Sequence, residues 1–520
     1  MTANESERVG LPIVCSQLLL TLAVVLFVFV PWLGRYVDGQ FLGLTGEYGT
    51  DFFRYAMGSE ALLRLGEDPY SNAGMFELLE SEQLKTGHPN QEYDPQTSIK
   101  AFADTPEPVA KGVVSPPFLL VVIAPWLLLG YTTALNTWVA ATLLGMGGLC
   151  WLFWRRLQPP RPWLASWSSY AAVIALLVCS GFPVLWVAIY GQFEALYVLP
   201  VAGAIYLWVW RPERPSTPLL VGLLTAFAGA VKLFPLILLG YFAWRALLAV
   251  RTDNGNPFGW LQVPEMKVVL WGTLFFAAFN AATAATCGVQ IYQSFLTKSA
   301  DLQLPATGPS MKGNLLSYLS FLPFWMSSPF RAPAMWPSWV YLLAVAATAT
   351  ALLRTCSREC DSWRRLLNTS LLLAALPTLM PHWWIYYNVV LMLPLMVCFA
   401  ASRRASHASV RRWLLALTVL AFALNYSYLT TSLFFGACPD VYASLVNRPA
   451  VDAAISQLDA EPHLAANLPY SRALGEPYVA ELEGRVPSVF NLVYGYPGAL
   501  LLLIAGLIAA HCRYEAVAAP

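Results

Sequence analysis

The sequence predicts an all-α, polytopic membrane protein. Of its 520 residues, 57% are hydrophobic and only 12% are charged, and its mean hydropathy is +0.54. A soluble domain carries roughly 25% charged residues, so this chain has about half the usual means of covering itself in water. Apolar runs of roughly 20 residues recur from end to end, and each can cross a hydrocarbon core of about 30 Å as a helix.

The apolar runs define the expected membrane-spanning segments in chain order. They lie near residues 12–33, 116–133, 134–154, 166–186, 189–209, 217–232, 234–250, 267–287, 333–353, 366–380, 384–402, 412–432 and 489–510. Pro116, Pro117 and Pro125 interrupt the second run, so some segments are expected to be half-helices or re-entrant. We therefore expect about 11–13 transmembrane helices.

The stretches between these runs divide the chain into regions. They are an N-terminal tail with the first transmembrane helix (1–33), an outer loop with a candidate catalytic motif (34–113), the transmembrane bundle with an outer loop at 288–332 (114–432), an outer loop subdomain (433–488), and the last transmembrane helix with a cytoplasmic tail (489–520). In the first outer loop, apolar residues from Phe52 to Leu65 recur at helical spacing, and Gly66 and Pro69 favour the end of that helix. We expect such helices to lie along the membrane surface.

Short arginine-rich loops indicate the orientation of the chain, because positive charge concentrates on the cytoplasmic side. These loops are Arg211–Arg214, Arg245–Arg251, Arg354–Arg365 and Arg403–Arg412. The long polar stretches and the turn at His382 then face outward. Arg155, Arg156 and Arg161 conflict with simple alternation, which places them outside. Either the 116–133 segment does not fully cross the membrane, or the charge rule fails at this loop.

Composition and motifs exclude several classes of protein. A formal net charge of +1 leaves no basic surplus for binding nucleic acid. No glycine-rich loop of the kind that grips nucleotide phosphates is present, and we expect no cofactor. Cys356 and Cys360 lie near neither a second cysteine pair nor a histidine, so we expect no metal site.

Asp51 is the most informative single residue. It stands at the start of helical pattern in the first outer loop, and Arg54 follows one helical turn later. One interpretation is a surface ion pair that contributes under about 1 kcal/mol. The other is a general base that takes a proton from a sugar hydroxyl.

Several short motifs resemble those of one enzyme family. The stretch 51–70 has an Asp, a Tyr a few residues on, a Leu-x-x-Gly pattern and a Tyr after Asp-Pro. It resembles the opening motif of the polyprenyl-phosphate-mannose-dependent α-mannosyltransferases and their relatives, glycosyltransferase family 87 in the GT-C superfamily. Further stretches agree in the same order: 114–118, Gly191-Gln192, 230–235 and 381–386.

The resemblance implies roles for particular residues. Asp51 corresponds to the family's catalytic base, which deprotonates an acceptor hydroxyl as the lipid phosphate leaves from the opposite face. Candidates for binding the donor are Arg54, Tyr55, Tyr70, Gln192, Lys232, Lys312, Asn314, His382 and Trp383. Lys232 is the best candidate for the phosphate, although a lysine at a helix end also snorkels to the interface. Gln192 and Glu194 at a helix start could bind sugar hydroxyls, and the favoured interpretation of Glu194 is that it complements the helix dipole.

We therefore expect an inverting integral-membrane glycosyltransferase. It moves a hexose, with mannose favoured, from a polyprenyl-phosphate carrier to a glycan or glycolipid on the outer face of a bacterial plasma membrane. The alternatives are a transporter or flippase for a lipid-linked or small polar substrate, and a non-catalytic scaffold. A transporter typically shows ionisable residues deep in several helices and related halves, and neither stands out in this sequence.

Overall fold

The computed structural model describes residues 3–30, 50–70, 115–158, 163–252, 259–301, 361–379, 385–405, 407–425 and 503–510, with residues 346, 350 and 352. All regular elements in these ranges are helical, which confirms the predicted all-α class. The α-helices are α1 (Ala3–Val24), α2 (Thr50–Glu60), α3 (Pro117–Leu127), α4 (Tyr131–Leu157), α5 (Trp163–Ile174), α6 (Phe182–Tyr190), α7 (Glu194–Trp210), α8 (Thr217–Val231), α9 (Ile237–Thr252), α10 (Pro264–Cys287), α11 (Gln290–Asp301), α12 (Ser362–Leu379), α13 (Met392–Arg404), α14 (Ala408–Asn425) and α15 (503–510).

Short π or 3₁₀ turns lie directly before or after several of these α-helices. Wide π turns follow α1, α2 and α5 at Val25–Phe29, Ala61–Leu65 and Ala175–Cys179. Narrow 3₁₀ turns precede α9, α10 and α13 at Phe234–Leu236, Gly259–Gln262 and Ile385–Leu391. With these turns included, the helices follow the apolar runs of the sequence closely.

Three helices within the described part of the chain are long and apolar enough to cross a membrane. They cover Pro12–Phe29, Thr133–Leu157 and Pro264–Cys287. Shorter apolar helices include Glu194–Trp210, Thr217–Val231 and Phe234–Ala249. The predicted number of spans and the region boundaries stay predictions, because segments such as 426–502 lie outside the described residues.

The core of the bundle is formed by α4, α7, α8, α12 and α13. Helices α8 and α10 approach so closely that a methyl group on Gly222 would lie 2.7 Å from the backbone nitrogen of Gly272. Within lipid, the hydrophobic effect does not drive helices together, so helix association depends on close packing, which small residues allow. This packing fixes α8, which ends directly before Lys232.

The bundle has two chemically different ends. At the first, which we call the arginine end, Arg403 Nη1 on α13 donates to Gln158 Oε1 after α4 at 2.6 Å, and Arg156 Nε donates to the Tyr206 hydroxyl at 3.1 Å. At the other, which we call the Asp51 end, the start of α2 meets the turn between α6 and α7. The indole Nε1 of Trp138, near the start of α4, donates to the backbone oxygen of Gln192 there at 3.0 Å.

Helix α3 favours one of the two explanations for Arg155, namely that the 116–133 segment does not fully cross the membrane. It has 11 residues and is about 16 Å long, too short for a hydrocarbon core of about 30 Å. Its start packs against the last turns of α8, where the ring centres of Phe118 and Phe227 are 5.6 Å apart, and its end lies beside the first turns of α4, where Trp126 Nε1 donates to Thr137 Oγ1. Both ends of α3 are therefore at the Asp51 end. Helix α4 then runs to the arginine end and carries Arg155 there with the other arginine-rich turns.

The predicted segment at 166–186 is wrong in one respect. The structure breaks it at Ser180 and Gly181, and α6 begins as a separate helix with Pro183 in its first turn. A proline fits the first turn of a helix, where its missing N–H needs no partner, and it disfavours continuation from the turn before it. The following segment begins at Glu194 rather than at 189, because Gly191 ends α6 in the left-handed conformation. This pair of breaks presents Gln192 and Glu194 at the Asp51 end.

Candidate active site

The site begins at the first turn of α2, where Asp51 is partly exposed and the neighbouring Phe52 is fully buried. The side-chain Nε2 of Gln192 donates a short hydrogen bond to Asp51 Oδ2. The hydroxyl of Tyr55, one turn along α2, donates to Gln192 Oε1 at 2.9 Å. An ionised carboxylate only accepts hydrogen bonds, so the amide nitrogen must face Asp51 and the amide oxygen must face Tyr55.

Gln192 is held in place by its own backbone. Its carbonyl accepts the Trp138 indole proton, and its N–H donates to the Val187 carbonyl at 2.9 Å. Gly191 before it has φ +62, and a methyl group there would lie 2.6 Å from Phe52 Cβ. Glycine adopts this conformation at little cost and leaves room for Phe52. The turn and the helix that carries Asp51 are thus in direct contact.

A buried ion pair lies beside this hydrogen-bond network. Lys232 Nζ is 3.5 Å from Glu194 Oε1, and the Glu194 side chain is fully buried. Buried charges in proteins are normally paired, because an isolated one is strongly disfavoured. Asp51 is close enough to interact electrostatically with both members of the pair. The three charged groups therefore belong to one site.

Aromatic rings enclose the lysine. Its Nζ lies 3.3 Å from the centre of the Tyr387 ring, 4.9 Å from that of Phe193 and 5.5 Å from that of Tyr197. A cation over an aromatic face is stabilised by about 0.5–2 kcal/mol, more where water is excluded. The side chain is 17% exposed, so Lys232 does not snorkel away from the bundle. That interpretation of the lysine is wrong.

Tyr70 has a partner of its own in the structure. It is buried, and its hydroxyl donates to the Ser115 carbonyl at 2.7 Å. Burial, together with the nearby Asp68 charge, raises the pKa of this hydroxyl, which keeps it protonated as a donor. The bond ties the loop after α2 to the start of α3. A contact between Tyr70 and the donor stays a prediction.

The remaining predicted site residues fall outside what the structure describes. Lys312, Asn314, His382 and Trp383 lie in undescribed segments, and for Arg54 the described part is the helix but not the side chain. Tyr387, five residues after His382, is described and contacts Lys232.

Sequence reasoning missed two members of the site. Glu194 does stand in the first turn of α7, as expected, but its ion pair with Lys232 was not predicted. Tyr387 was not among the predicted site residues, but its ring covers the lysine. A signal for Glu194 was available, since it is the only acidic residue between 190 and 210 and is followed by an apolar helix.

The structure is thus an all-helical bundle with a carboxylate and a largely buried lysine at one end. Comparison with known proteins identifies the class. The model of glycosyltransferase family 87 matches residues 114–377, slightly more than half of the chain. The chain belongs to glycosyltransferase family 87, as its short motifs suggested. No curated protein and no solved structure matches it.

The matched range contains Gln192, Glu194 and Lys232 but ends before His382 and begins after Asp51. The family assignment therefore makes the chain a glycosyltransferase, and it favours the enzyme over the transporter and scaffold alternatives. It does not by itself give Asp51 a role.

Proposed function

We propose that the protein transfers a hexose from a polyprenyl-phosphate carrier to a glycan or glycolipid hydroxyl, with inversion at the anomeric carbon and Asp51 as the general base. Mannose is the first sugar to test. The observation that carries the proposal is that Gln192, which bonds Asp51, stands two residues before Glu194, which pairs with Lys232, so that base and cation interact in one site. Transfer of a sugar from a phosphodiester needs a base for the acceptor hydroxyl and a cation for the phosphate.

The chemistry requires few groups. The acceptor hydroxyl loses its proton to Asp51 as its oxygen attacks the anomeric carbon. The bond between that carbon and the phosphate oxygen breaks, and polyprenyl phosphate leaves from the opposite face. A phosphate leaves readily, so no general acid is needed. Asp51 then releases its proton to water.

Gln192 has a positioning role in this proposal. Its amide fixes one carboxylate oxygen of Asp51, while Tyr55 fixes the amide. The carboxylate keeps its second oxygen for the acceptor. Effective catalysis needs the base to be held within hydrogen-bond reach of the proton that it removes.

Lys232 has the role of binding the phosphate. Glu194 and the aromatic rings keep the ammonium group charged and oriented. An ammonium group has three N–H donors, so a lysine paired with one carboxylate oxygen still has N–H groups for a phosphate. Arg54, Lys312, Asn314 and His382 are further candidates for the donor, and Trp383 for the sugar or prenyl chain.

We also propose that the Asp51 end faces outward in a bacterial plasma membrane. The arginine-rich turns of α4 and α13 meet at the opposite end of the bundle, where Arg403 bonds Gln158. Lysine and arginine concentrate in cytoplasmic loops, which supports this orientation. The donor and acceptor would then meet at the outer membrane surface.

The test is transfer from labelled polyprenyl-phosphate sugar in membranes that contain Asp51→Asn. Asparagine can still accept the Gln192 bond but cannot take a proton, so we expect activity to fall by roughly 10²–10⁴-fold. Asp68→Asn is the matched control and should stay active. Full transfer by Asp51→Asn at equal protein level would refute the assignment of the base.

A further inference from the structure

An apolar groove of about 650 Å³ opens on the side of the bundle, between α1, α4, α5, α13 and α14. We call it the lateral groove. Its floor is formed by buried residues, among them Leu177, Leu395 and Met396, whereas Ile13 and Val419 on its rim are 52% and 54% exposed. This volume is typical of pockets for small-molecule ligands, which span about 300–1,000 Å³.

The length of the groove matches one leaflet of a bilayer. On α13 it extends from Leu395 to Arg403, about 12 Å at about 1.5 Å per residue, and along α5 and the π turn after it from Ala165 to Leu177, about 18 Å. Half of a hydrocarbon core of about 30 Å is about 15 Å. An acyl chain of the leaflet at the arginine end therefore fits along the groove.

A positive charge stands at one end of the lateral groove. Arg403 lies on the last turn of α13 and is exposed, and its bond to Gln158 holds the guanidinium at the arginine end. Arginine is well suited to phosphate because its planar fork presents several N–H donors. The groove thus has a cationic mouth and apolar walls, which is the complement of an anionic lipid.

Trp154 supplies a second, independent observation. It lines the groove near the end of α4 and is only 6% exposed. Its indole Nε1 has no hydrogen-bond partner within the described part of the protein. Buried donors are bonded in the great majority of cases, so this one points to an acceptor supplied from outside the chain. A lipid ester carbonyl is such an acceptor, at the depth between headgroup and chain.

We propose that the lateral groove binds one anionic phospholipid from the leaflet at the arginine end. Its chain lies along α5 and α13, an ester oxygen accepts the Trp154 proton, and its phosphate contacts Arg403. The site is separate from the one that contains Asp51, which lies at the other end of the bundle. It does not depend on the sugar, the acceptor or the role of Asp51.

The test is native mass spectrometry of the full-length protein in detergent, titrated with phosphatidylglycerol. We expect one tightly bound lipid, and Arg403→Gln should weaken it by roughly tenfold or more, as expected for losing a charge-assisted hydrogen bond. Arg404→Gln is the matched control, because Arg404 is adjacent but lies over the Trp363 ring instead of lining the groove. It should leave binding unchanged.

Two further variants address the rest of the groove. Trp154→Phe removes the donor but keeps the ring and should weaken binding by roughly two- to tenfold. Ala172→Trp should fill the groove and displace the lipid, since Ala172 lines it and is 8% exposed. Unchanged binding in Arg403→Gln and Ala172→Trp would overturn the proposal. So would equal losses in Arg403→Gln and Arg404→Gln, or displacement of the lipid by polyprenyl phosphate at equal concentration.

Discussion

Glu194 and Lys232 form an ion pair of 3.5 Å in which the carboxylate is fully buried and the lysine is covered by Tyr387. The two residues belong to different parts of the chain: Glu194 is the first residue of α7, and Lys232 directly follows α8. Buried pairs are weak evidence for stability, since apolar replacements are often equally stable. We therefore interpret this pair as part of the donor site, with Glu194 as a positioning residue.

The first prediction concerns that pair. Lys232→Met leaves a buried carboxylate without its counter-ion, so it should lower the free energy of unfolding by about 3–5 kcal/mol and abolish transfer. Adding Glu194→Gln should recover much of the stability but none of the activity. Thermal unfolding in detergent and donor-dependent transfer measure the two effects. Transfer by the double variant with an unchanged KM for the donor would exclude Lys232 from phosphate binding.

The second prediction concerns the positioning of Asp51. Gln192→Leu removes the amide that fixes the carboxylate, and we expect kcat to fall by roughly a hundredfold, as for other misplaced catalytic groups. KM for the donor should change little. Tyr55→Phe removes only the bond that fixes the amide, so its effect on kcat should be smaller. A Gln192→Leu variant that changes KM alone would instead show that Gln192 binds substrate.

The third prediction concerns the turn at Gly191. Gly191→Ala places a methyl group 2.6 Å from Phe52 Cβ at a positive φ, where a side chain costs about 1–2 kcal/mol before any clash. Stability and activity should therefore fall together. Gly148→Ala on α4 is the control, because a methyl group there meets no atom within 4 Å. It should be neutral or stabilising by up to about 1 kcal/mol.

The fourth prediction concerns the packing that fixes α8. Gly222→Leu would force α8 away from the Gly272 backbone and displace Lys232 at the end of the helix. We expect lower stability and a raised KM for the donor, measured as above. Gly240→Ala is a suitable control, since its methyl group would meet nothing within 4 Å. A stable Gly222→Leu protein with unchanged KM would mean that α8 does not set the position of Lys232.

Much of the fold could be predicted because membrane helices are specified locally. Apolar runs predicted helical segments, and Gly66 ends the helical turns after α2 as predicted, whereas Pro125 lies inside α3 and does not interrupt it. The length of helix α3 was harder to predict, because α3 ends where α4 begins and hydrophobicity does not fall at that point. The break at Gly181 was missed for the same reason, because apolar residues continue on both sides of it.

The candidate site was predictable as a set of residues but not as an arrangement. Asp51 and Gln192 were both identified, yet they are 141 positions apart and only the packing of α2 against the turn at Gly191 brings them together. The pairing of Glu194 was not predicted because a carboxylate in the first turn of a helix already has a local explanation. Its actual partner comes from another helix, and no spacing in the sequence reveals that.

The most direct test is a structure of the protein with a non-hydrolysable prenyl-phosphate sugar bound. We expect a phosphate oxygen within about 3 Å of Lys232 Nζ, the usual length of a charge-assisted hydrogen bond. Asp51 should then face the anomeric carbon from the side opposite the phosphate. A phosphate bound away from Lys232, or Asp51 on the same side of the sugar as the phosphate, would contradict an inverting transfer with Asp51 as base.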